Sequence, residues 1–352
     1  MMKNKLLIVA PYQFGELSDC YYWAKYATQE GWDVTYLGYR YLHREFKERT
    51  CSGVLVVGVN RSKNRIIHGI KFLTTIVKVI FVNNHKRVIV CRFPKCELLP
   101  KLFPNRNIIL DVRTLSVSAN EETRMKEDNE LRSIMKFFKK TSVISQGVGE
   151  KLGGGCPVLP LGAESLSILD KDFNTMRLFY IGTFNNRNLS QFIEGLALYQ
   201  KQSGDNSITF DIVGGGVAEE EQLIKDVIAK TKVKGVKLHG YLTHDEAQSF
   251  FDRCNVGVCY VPVTEYYQHQ PPTKLYEYLL SGMACIATNT ISNTKVIDST
   301  NGVIIHDNPI AVANGLVALY NNMRNYNSAS IRISSSKYNW KTIVNNALIP
   351  IL

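Results

Sequence analysis

The sequence predicts an α/β protein of two doubly wound domains, each a parallel sheet with helices on both faces, and three observations predict it. Strand and helix signals alternate along nearly the whole chain. The alternation is interrupted once, by a stretch rich in Gly, Pro and small residues, "KLGGGCPVLPLGAESLSILDKDFNT". The 352 residues, 45% of them hydrophobic, also exceed the size at which single cores usually divide.

In the first half, "NKLLIVAPY" is a short continuous apolar run ending in a turn, as a strand buried on both faces requires. "SDCYYWAKYATQEGW" then reads as an amphipathic helix closing at Gly31, and "DVTYLGY" as the next strand. Further strands are predicted at "GVLVVGV", "KRVIVCRF", "NIILDVR" and "TSVISQG", with a helix from about Glu121 to Lys139 between the last two. After a linker near 160–175 the pattern restarts. It runs strand "RLFYIG", helix "LSQFIEGLALYQ", strand "ITFDIVG", helix "EEEQLIKDVIAK", strand "VKLHG", helix "HDEAQSFFDRC", strand "VGVCYV", a helix inside "PPTKLYEYLLSGM" and strand "ACIATN". The expected division is 1–165, 166–330 and a closing helical segment, 331–352, anchored by Trp340. That segment either finishes the second domain or crosses back to the first.

Charge is unevenly shared. Residues 1–160 hold 26 Lys and Arg against 14 Asp and Glu, whereas 161–352 hold 16 against 17. Ten of the cations fall within 49–96, a zone without one acid, which implies an anionic partner. Inside that zone, Ile66, Ile67, Ile70, Leu73, Ile76, Val77 and Ile80 recur at helical spacing, with Arg65, Lys71 and Lys78 mostly elsewhere on the wheel. Such a helix suits a sheet-covering crossover, or one that also lies on an anionic membrane surface. "RSIMKFFKK", 132–140, offers a second basic and aromatic contact. The five apolar residues Leu6 to Ala10 are too few for a leader core or a membrane span. Eight cysteines without paired or zinc-ligand spacing read as buried residues of a reducing compartment, so a cytoplasmic protein is expected. No helix-turn-helix, zinc-finger or RNA-binding aromatic signature supports a nucleic-acid partner.

The stretch "PPTKLYEYLLSGMACIATN", 271–289, lies where a strand's carboxyl end would meet a helix. Pro271 and Pro272 fix the backbone, and the first free N–H donors would belong to Thr273 and Lys274, so helix terminus and ammonium together make a diphosphate seat. Glu277, one turn on, could accept from two neighbouring hydroxyls of a ribose. By spacing alone, Lys274 and Glu277 equally make an exposed i,i+3 ion pair.

This stretch resembles the donor-site segment of the family 4 glycosyltransferases, retaining enzymes of the GT-B fold. "LFYIGTFNNRNL", "FDIVGGG" and "HGYLTHDEAQSFFDRCNVGVCYVP" are similar to further family segments in the family's order, covering essentially the whole second half. In the first half the likeness is looser, resting on "IVAPYQFGELSDCYYWAKYATQEGWDVTYLG" and "TSVISQGVGEKL". The resemblance implies two Rossmann-like domains facing an interdomain cleft. It implies donor contacts from Gly15, Gly182, Thr183, Arg187, Tyr241, Leu242, Thr273, Lys274 and Glu277, with Arg187 on the diphosphate and Glu277 on the ribose.

Three departures from the family pattern stand out. Where many members have two glycines in the first loop, this chain has Phe14-Gly15. The first of the family's two spaced glutamates is replaced by His269, leaving His269, or Glu265 one turn away, to reach the sugar. A His-Asp pair near the reacting sugar is replaced by Arg113-Thr114, and Arg113 cannot act as a base but can bind an anion, with Asp111 orienting it. The catalytic candidates are therefore His269, Arg113 and Glu265. No metal or other cofactor is expected; "DKD", 170–172, lies in the linker and is read as solvated. The implied function is transfer of a sugar from a nucleoside diphosphate to a lipid-linked or polysaccharide acceptor in envelope, capsule or lipopolysaccharide synthesis. The expected place is the inner face of the plasma membrane. A nucleotide-sugar epimerase of the same fold and a non-catalytic glycan-binding subunit are the alternatives.

Overall fold

A computed structural model of the chain describes residues 4–352 apart from 42–48, 117, 119 and 266, so the basic opening residues 1–3 lie outside the described residues. It divides into two compact units, residues 1–161 with 340–352, and residues 162–339.

The first unit is built on six parallel strands, β1 (Lys5–Val9), β2 (Asp33–Arg40), β3 (Val54–Asn60), β4 (Arg87–Cys91), β5 (Asn107–Val112) and β6 (Lys140–Val143), in the order β3-β2-β1-β4-β5-β6. Leu6, Leu7, Ile8 and Val9 of the central strand are fully buried, because helices cover both faces of a parallel sheet. The connecting helices are α1 (Ser18–Gln29), α2 (Arg65–Val82), α3 (Leu98–Leu102), α4 (Glu121–Met135) and α5 (Gln146–Lys151). Cys20, Trp23, Ala24 and Ala27 put the inner face of α1 on the sheet at helical spacing. α2 starts where the Asn64 side chain accepts the Ile66 and Ile67 N–H groups. α4 ends at Met135, short of the predicted Lys139, in a turn that buries Phe138 and leaves Phe137 under the Lys101 ammonium, 4.0 Å from the ring centroid.

The closing residues 340–352 belong to this unit. Trp340 is fully buried and stacks on Tyr22 with ring centroids 5.6 Å apart. Arg87 and Asn107 donate to the main-chain oxygen of Leu352 at 3.0 and 2.7 Å, and Lys140 to that of Ile351 at 2.7 Å.

The second unit repeats the plan with β7 (Arg177–Ile181), β8 (Thr209–Val213), β9 (Val236–Leu238), β10 (Val256–Cys259), β11 (Ala284–Thr288) and β12 (Gly302–Ile305), ordered β12-β11-β10-β7-β8-β9. Its helices are α6 (Leu189–Ser203), α7 (Ala218–Thr231), α8 (His244–Arg253), α9 (Thr273–Leu280), α10 (Ile291–Thr294), α11 (Pro309–Asn322) and α12 (Ser328–Ser335). In both sheets the chain's course reverses beside the opening strand, between β1 and β4 and between β7 and β10. Such a switch point parts the loops above the strands' carboxyl ends and leaves a crevice for ligand.

The structure also departs from the sequence reading in two further places. Residues 331–339, assigned to the closing segment, lie in the second unit, where Ser328 donates to the Gly282 carbonyl at 2.9 Å and the Tyr338 ring meets Tyr276 at 4.5 Å. The 170–172 stretch is tied down rather than simply solvated. Asp170 pairs with Arg332, and the Lys171 ammonium is buried on the Ser167 hydroxyl and the Phe251 carbonyl at 2.9 and 2.5 Å. Burial pushes the Lys171 pKa down to about 8.

Trp340→Ala should cost about 3–5 kcal/mol, the usual range for emptying a large buried aromatic site. Chemical denaturation of the two proteins checks this, and unchanged stability would mean that Trp340 does not fasten the closing segment to α1.

Candidate functional site

The carboxyl ends of β7 and β8 are held against one another by two glycines. Gly182 (φ +140°) donates its N–H to the Val213 carbonyl at 3.0 Å, and a β-carbon on Gly214 (φ +136°) would lie 1.9 Å from the Gly182 oxygen. Only glycine fits such an approach at such a φ. The loops bound a cavity of about 560 Å³ whose lining includes Gly182, Thr183, Asn185, Glu221, Tyr241 and Leu242. Asn185 accepts the Val217 N–H at 2.8 Å and Glu221 the Gly216 N–H at 3.1 Å, so the walls are braced by side chains. Tyr241 is 83% exposed, presenting its ring at the rim.

Beside this cavity, α9 and the loop from β7 to α6 bring in the charged groups. The N-cap of α9 is Pro272, and Lys274 lies in its first turn. The Lys274 ammonium is inaccessible to water and sits 3.6 Å from the Tyr180 ring centroid, where a β-carbon on Gly182 would be 3.0 Å from it. Among the described residues it has no hydrogen-bond acceptor. Burial, opposed by the Cys259 thiol and reinforced by the Arg187 charge, lowers its pKa to about 7, and Glu277 pulls the other way. Arg187, on the loop from β7 to α6, donates to the Tyr267 hydroxyl and lies over that ring at 4.7 Å. Two cations thus stand within electrostatic reach of each other, and the Lys274 ammonium rests on an aromatic face with no hydrogen-bond acceptor among the described residues. An anion placed there would relieve both the burial and the mutual repulsion.

The remaining residues singled out in the sequence are spread over both units. Glu265 is exposed and His269 half-buried on the loop before α9, which is anchored where Gln268 accepts from Ile291 and Ser292 and where Val263 donates to Asp307 at 2.8 Å. Thr273 opens α9 and Glu277 lies on its next turn. Gly15 (φ +88°) is in the loop after β1, with the Arg49 stem against it. Arg113, at the end of β5, is paired with Asp19, donates to the Leu159 carbonyl at 2.6 Å, lies 3.7 Å from Asp111 and covers Trp23. Sequence reasoning missed Tyr180, Tyr267 and Asn185, which seat the cations and brace the loops. Their one sequence signal is closeness to the Gly182 turn and to Pro271.

Lys274→Met removes a buried charge and keeps the volume, so the unliganded protein should gain on the order of 1–4 kcal/mol. The sign with pH follows from the lowered pKa. Below about pH 7 the folded protein bears the whole cost of a charged Lys274, and that cost is relieved as pH rises toward the unfolded value of roughly 10.4. The gain should therefore be largest in acid and shrink on the alkaline side. Thermal midpoints of both proteins at pH 6 and pH 9 test this, and equal midpoints at pH 6 would refute the unpaired ammonium.

Residues 175–322 match the family described as Glycosyl transferases group 1. No curated protein sequence matches the chain. Among solved structures it is similar to sucrose-phosphate synthase from Thermosynechococcus elongatus, at 14% identity with 97% of each chain covered and a TM-score of 0.73. Anabaena HepE in complex with UDP-glucose is similar at 12% identity, 99% of each chain and a TM-score of 0.70. The lipopolysaccharide outer core galactosyltransferase WaaB in its apo form is similar at 13% identity, with 99% of this chain and 100% of that one covered and a TM-score of 0.70. At these identities the likeness establishes architecture, and the chain has the GT-B fold of two Rossmann-like domains.

Proposed function

We propose that the protein is a retaining glycosyltransferase that moves a sugar from a nucleoside diphosphate to a lipid-linked or polysaccharide acceptor in envelope glycan synthesis. The observation that carries the reading is the Lys274 ammonium, buried without an acceptor at a topological switch point and within electrostatic reach of Arg187 and Glu277. The family match over 175–322 and the UDP-glucose named for the HepE structure support a nucleotide-sugar donor.

In this reading the cavity walled by Thr183, Tyr241 and Leu242 takes the base, and Glu277 accepts hydrogen bonds from the ribose hydroxyls. Arg187, Lys274 and the first amides of α9 receive the departing diphosphate. Charge develops there in the transition state, and preorganised cations in a water-poor site act most strongly on developing charge. No metal is needed for that stabilisation. His269 reaches the sugar or a phosphate oxygen, with Glu265 and Arg113 as further candidates for sugar or acceptor contact. With retention, the acceptor hydroxyl approaches on the leaving-group face and gives its proton to a donor phosphate oxygen.

The acceptor side belongs to the basic first unit. No helix among the described residues is long and apolar enough to cross a membrane. On α2, however, Ile66, Ile67, Ile70, Phe81 and Val82 are between 56% and 76% exposed, while His68, Phe72, Ile76 and Ile80 face the sheet. That outer face, with Lys71 and Lys78, suits an anionic bilayer surface.

Arg187→Ala and Glu277→Ala should each lower kcat/KM for a nucleotide sugar by on the order of 10²-fold, as losing one preorganised contact does. A panel of nucleotide sugars assayed with and without acceptor measures it. Unchanged turnover in both variants would remove the assignment, and product formed from donor alone would favour the epimerase. Separately, vesicles containing anionic lipid should retain the protein at low salt and release it as salt rises. Failure to sediment with them would detach the membrane from the function.

A further inference from the structure

A second cavity, of about 760 Å³, opens in the first unit above the carboxyl ends of β2, β3 and β4. Its inner wall is aromatic. Tyr39 meets His68 at 4.5 Å and Phe72 at 4.7 Å between ring centroids, and Phe72 meets Phe93 at 5.1 Å edge to face. Its mouth is basic, lined by Arg61, Lys63 and Arg65, all exposed and without an ion pair among the described residues. Arg61 rests on the Tyr41 ring at 5.5 Å.

His68 joins the two parts. It is 7% exposed and lines the cavity, and its Nδ1 accepts the Ser62 N–H at 3.4 Å. Burial, with Arg61 and Lys71 nearby, holds its pKa below the usual value against a weaker pull from the Asn60 main chain, so the ring is neutral near pH 7. Its other ring nitrogen, Nε2, is buried and has no hydrogen-bond partner among the described residues. The start of α2 is not the source of attraction, because Asn64 already takes the Ile66 and Ile67 N–H groups.

We propose that this cavity binds a phosphate ester with an apolar or ring-bearing body, the anion held by Arg61, Lys63, Arg65 and His68 Nε2–H and the body lying on Tyr39, Phe72 and Phe93. As the site of the acceptor's phosphate it rests on the glycosyltransferase reading; as a ligand site it stands without it. Three exposed cations draw an anion in, an inner donor fixes it, and an aromatic wall favours an ester over a bare ion. The same chemistry is offered by a soluble phosphate ester and by a phosphate carried on a lipid.

Gly69 supplies a variant that leaves the fold alone. It lines the cavity from an exposed helical position, and a β-carbon there would meet nothing within 4 Å. Gly69→Leu therefore fills the space while improving helix propensity. Calorimetric titration of the full chain with phenyl phosphate, geranyl diphosphate and inorganic pyrophosphate tests the proposal, with UDP titrated in parallel. Both esters should bind saturably and more tightly than pyrophosphate. Arg61→Ala combined with Arg65→Ala should weaken them about tenfold or more, and Gly69→Leu should abolish their binding, with UDP affinity unchanged in both variants. No saturable ester binding, equal binding in the variants, or pyrophosphate binding as tightly as the esters would overturn it. If the esters bind and neither UDP nor any other nucleoside diphosphate does, the pocket stands and the glycosyltransferase reading falls; if UDP or another nucleoside diphosphate binds and the esters do not, the pocket falls and that reading stands. Displacement of phenyl phosphate by phosphatidylglycerol vesicles assigns the phosphate to a lipid, and ester binding that vesicles leave untouched assigns it to a soluble compound.

Discussion

A buried ammonium needs an anion or a strong acceptor, and Lys274 has neither among the described residues. Its burial is imposed by the architecture around it. Parallel strands bring all their carboxyl ends to one edge, and the reversal of strand order between β7 and β10 parts the loops there. α9 enters that gap behind Pro271 and Pro272, which sets its first turn, and with it Lys274, against Tyr180 and Gly182. The Gly182 N–H bond to the Val213 carbonyl and the close approach of Gly214 to the Gly182 oxygen tie the β7 and β8 loops together. The instability is local and is held in place by a core in which Tyr278, Leu275 and Leu279 of the same helix are fully buried.

Much of this architecture is legible in the sequence, because parallel strands buried on both faces read as unbroken apolar runs. "KLLIV" and "ACIAT" are of that kind, and both are strands in which nearly every residue is buried. The elements that escape notice lack such a signal. β12 is "GVII", four residues of which two are only half buried, and α11 is apolar nearly all round, so neither shows a clean period. The tie of Lys171 into the second unit is invisible for a different reason. A lysine between two aspartates looks solvated, and only the tertiary placement of the Phe251 carbonyl and the Ser167 hydroxyl makes it a buried anchor.

The candidate site divides along the same line. Lys274 and Glu277 can be found from local grammar, prolines followed by a short helix at a strand's end. Spacing leaves open an exposed ion pair or an anion seat, and burial of the ammonium is at odds with an exposed pair. Tyr180 and Tyr267 could not be found that way, since one comes from β7 and the other from the loop before α9, and they matter through where their rings lie. The cavity of the first unit is less legible still. Tyr39, His68, Phe72 and Phe93 come from three separate segments, and the helical period alone would mark His68 and Phe72 as ordinary inward positions. The acid-free run of 49–96 points to an anion in general but to no particular place.

The two units use positive charge in opposite ways, and dielectric accounts for the difference. Arg61, Lys63 and Arg65 are exposed, so their field reaches into solvent over roughly a Debye length, about 8–10 Å at ordinary ionic strength, and it weakens with salt. They can gather an anion from a distance and hold it only modestly. Lys274 is desolvated, with a pKa brought down to about 7, so when empty it is only partly charged near neutrality and projects little field. Its charge becomes strong once an anion is seated beside it, because the same burial that penalises the lone ammonium magnifies its attraction to a close phosphate. A site of this kind is insensitive to distant anions and responsive to one that also fits the neighbouring cavity. Selectivity then comes from the contacts that bring the phosphate to within a few ångströms, and those contacts are made by the parts of the ligand that carry no charge.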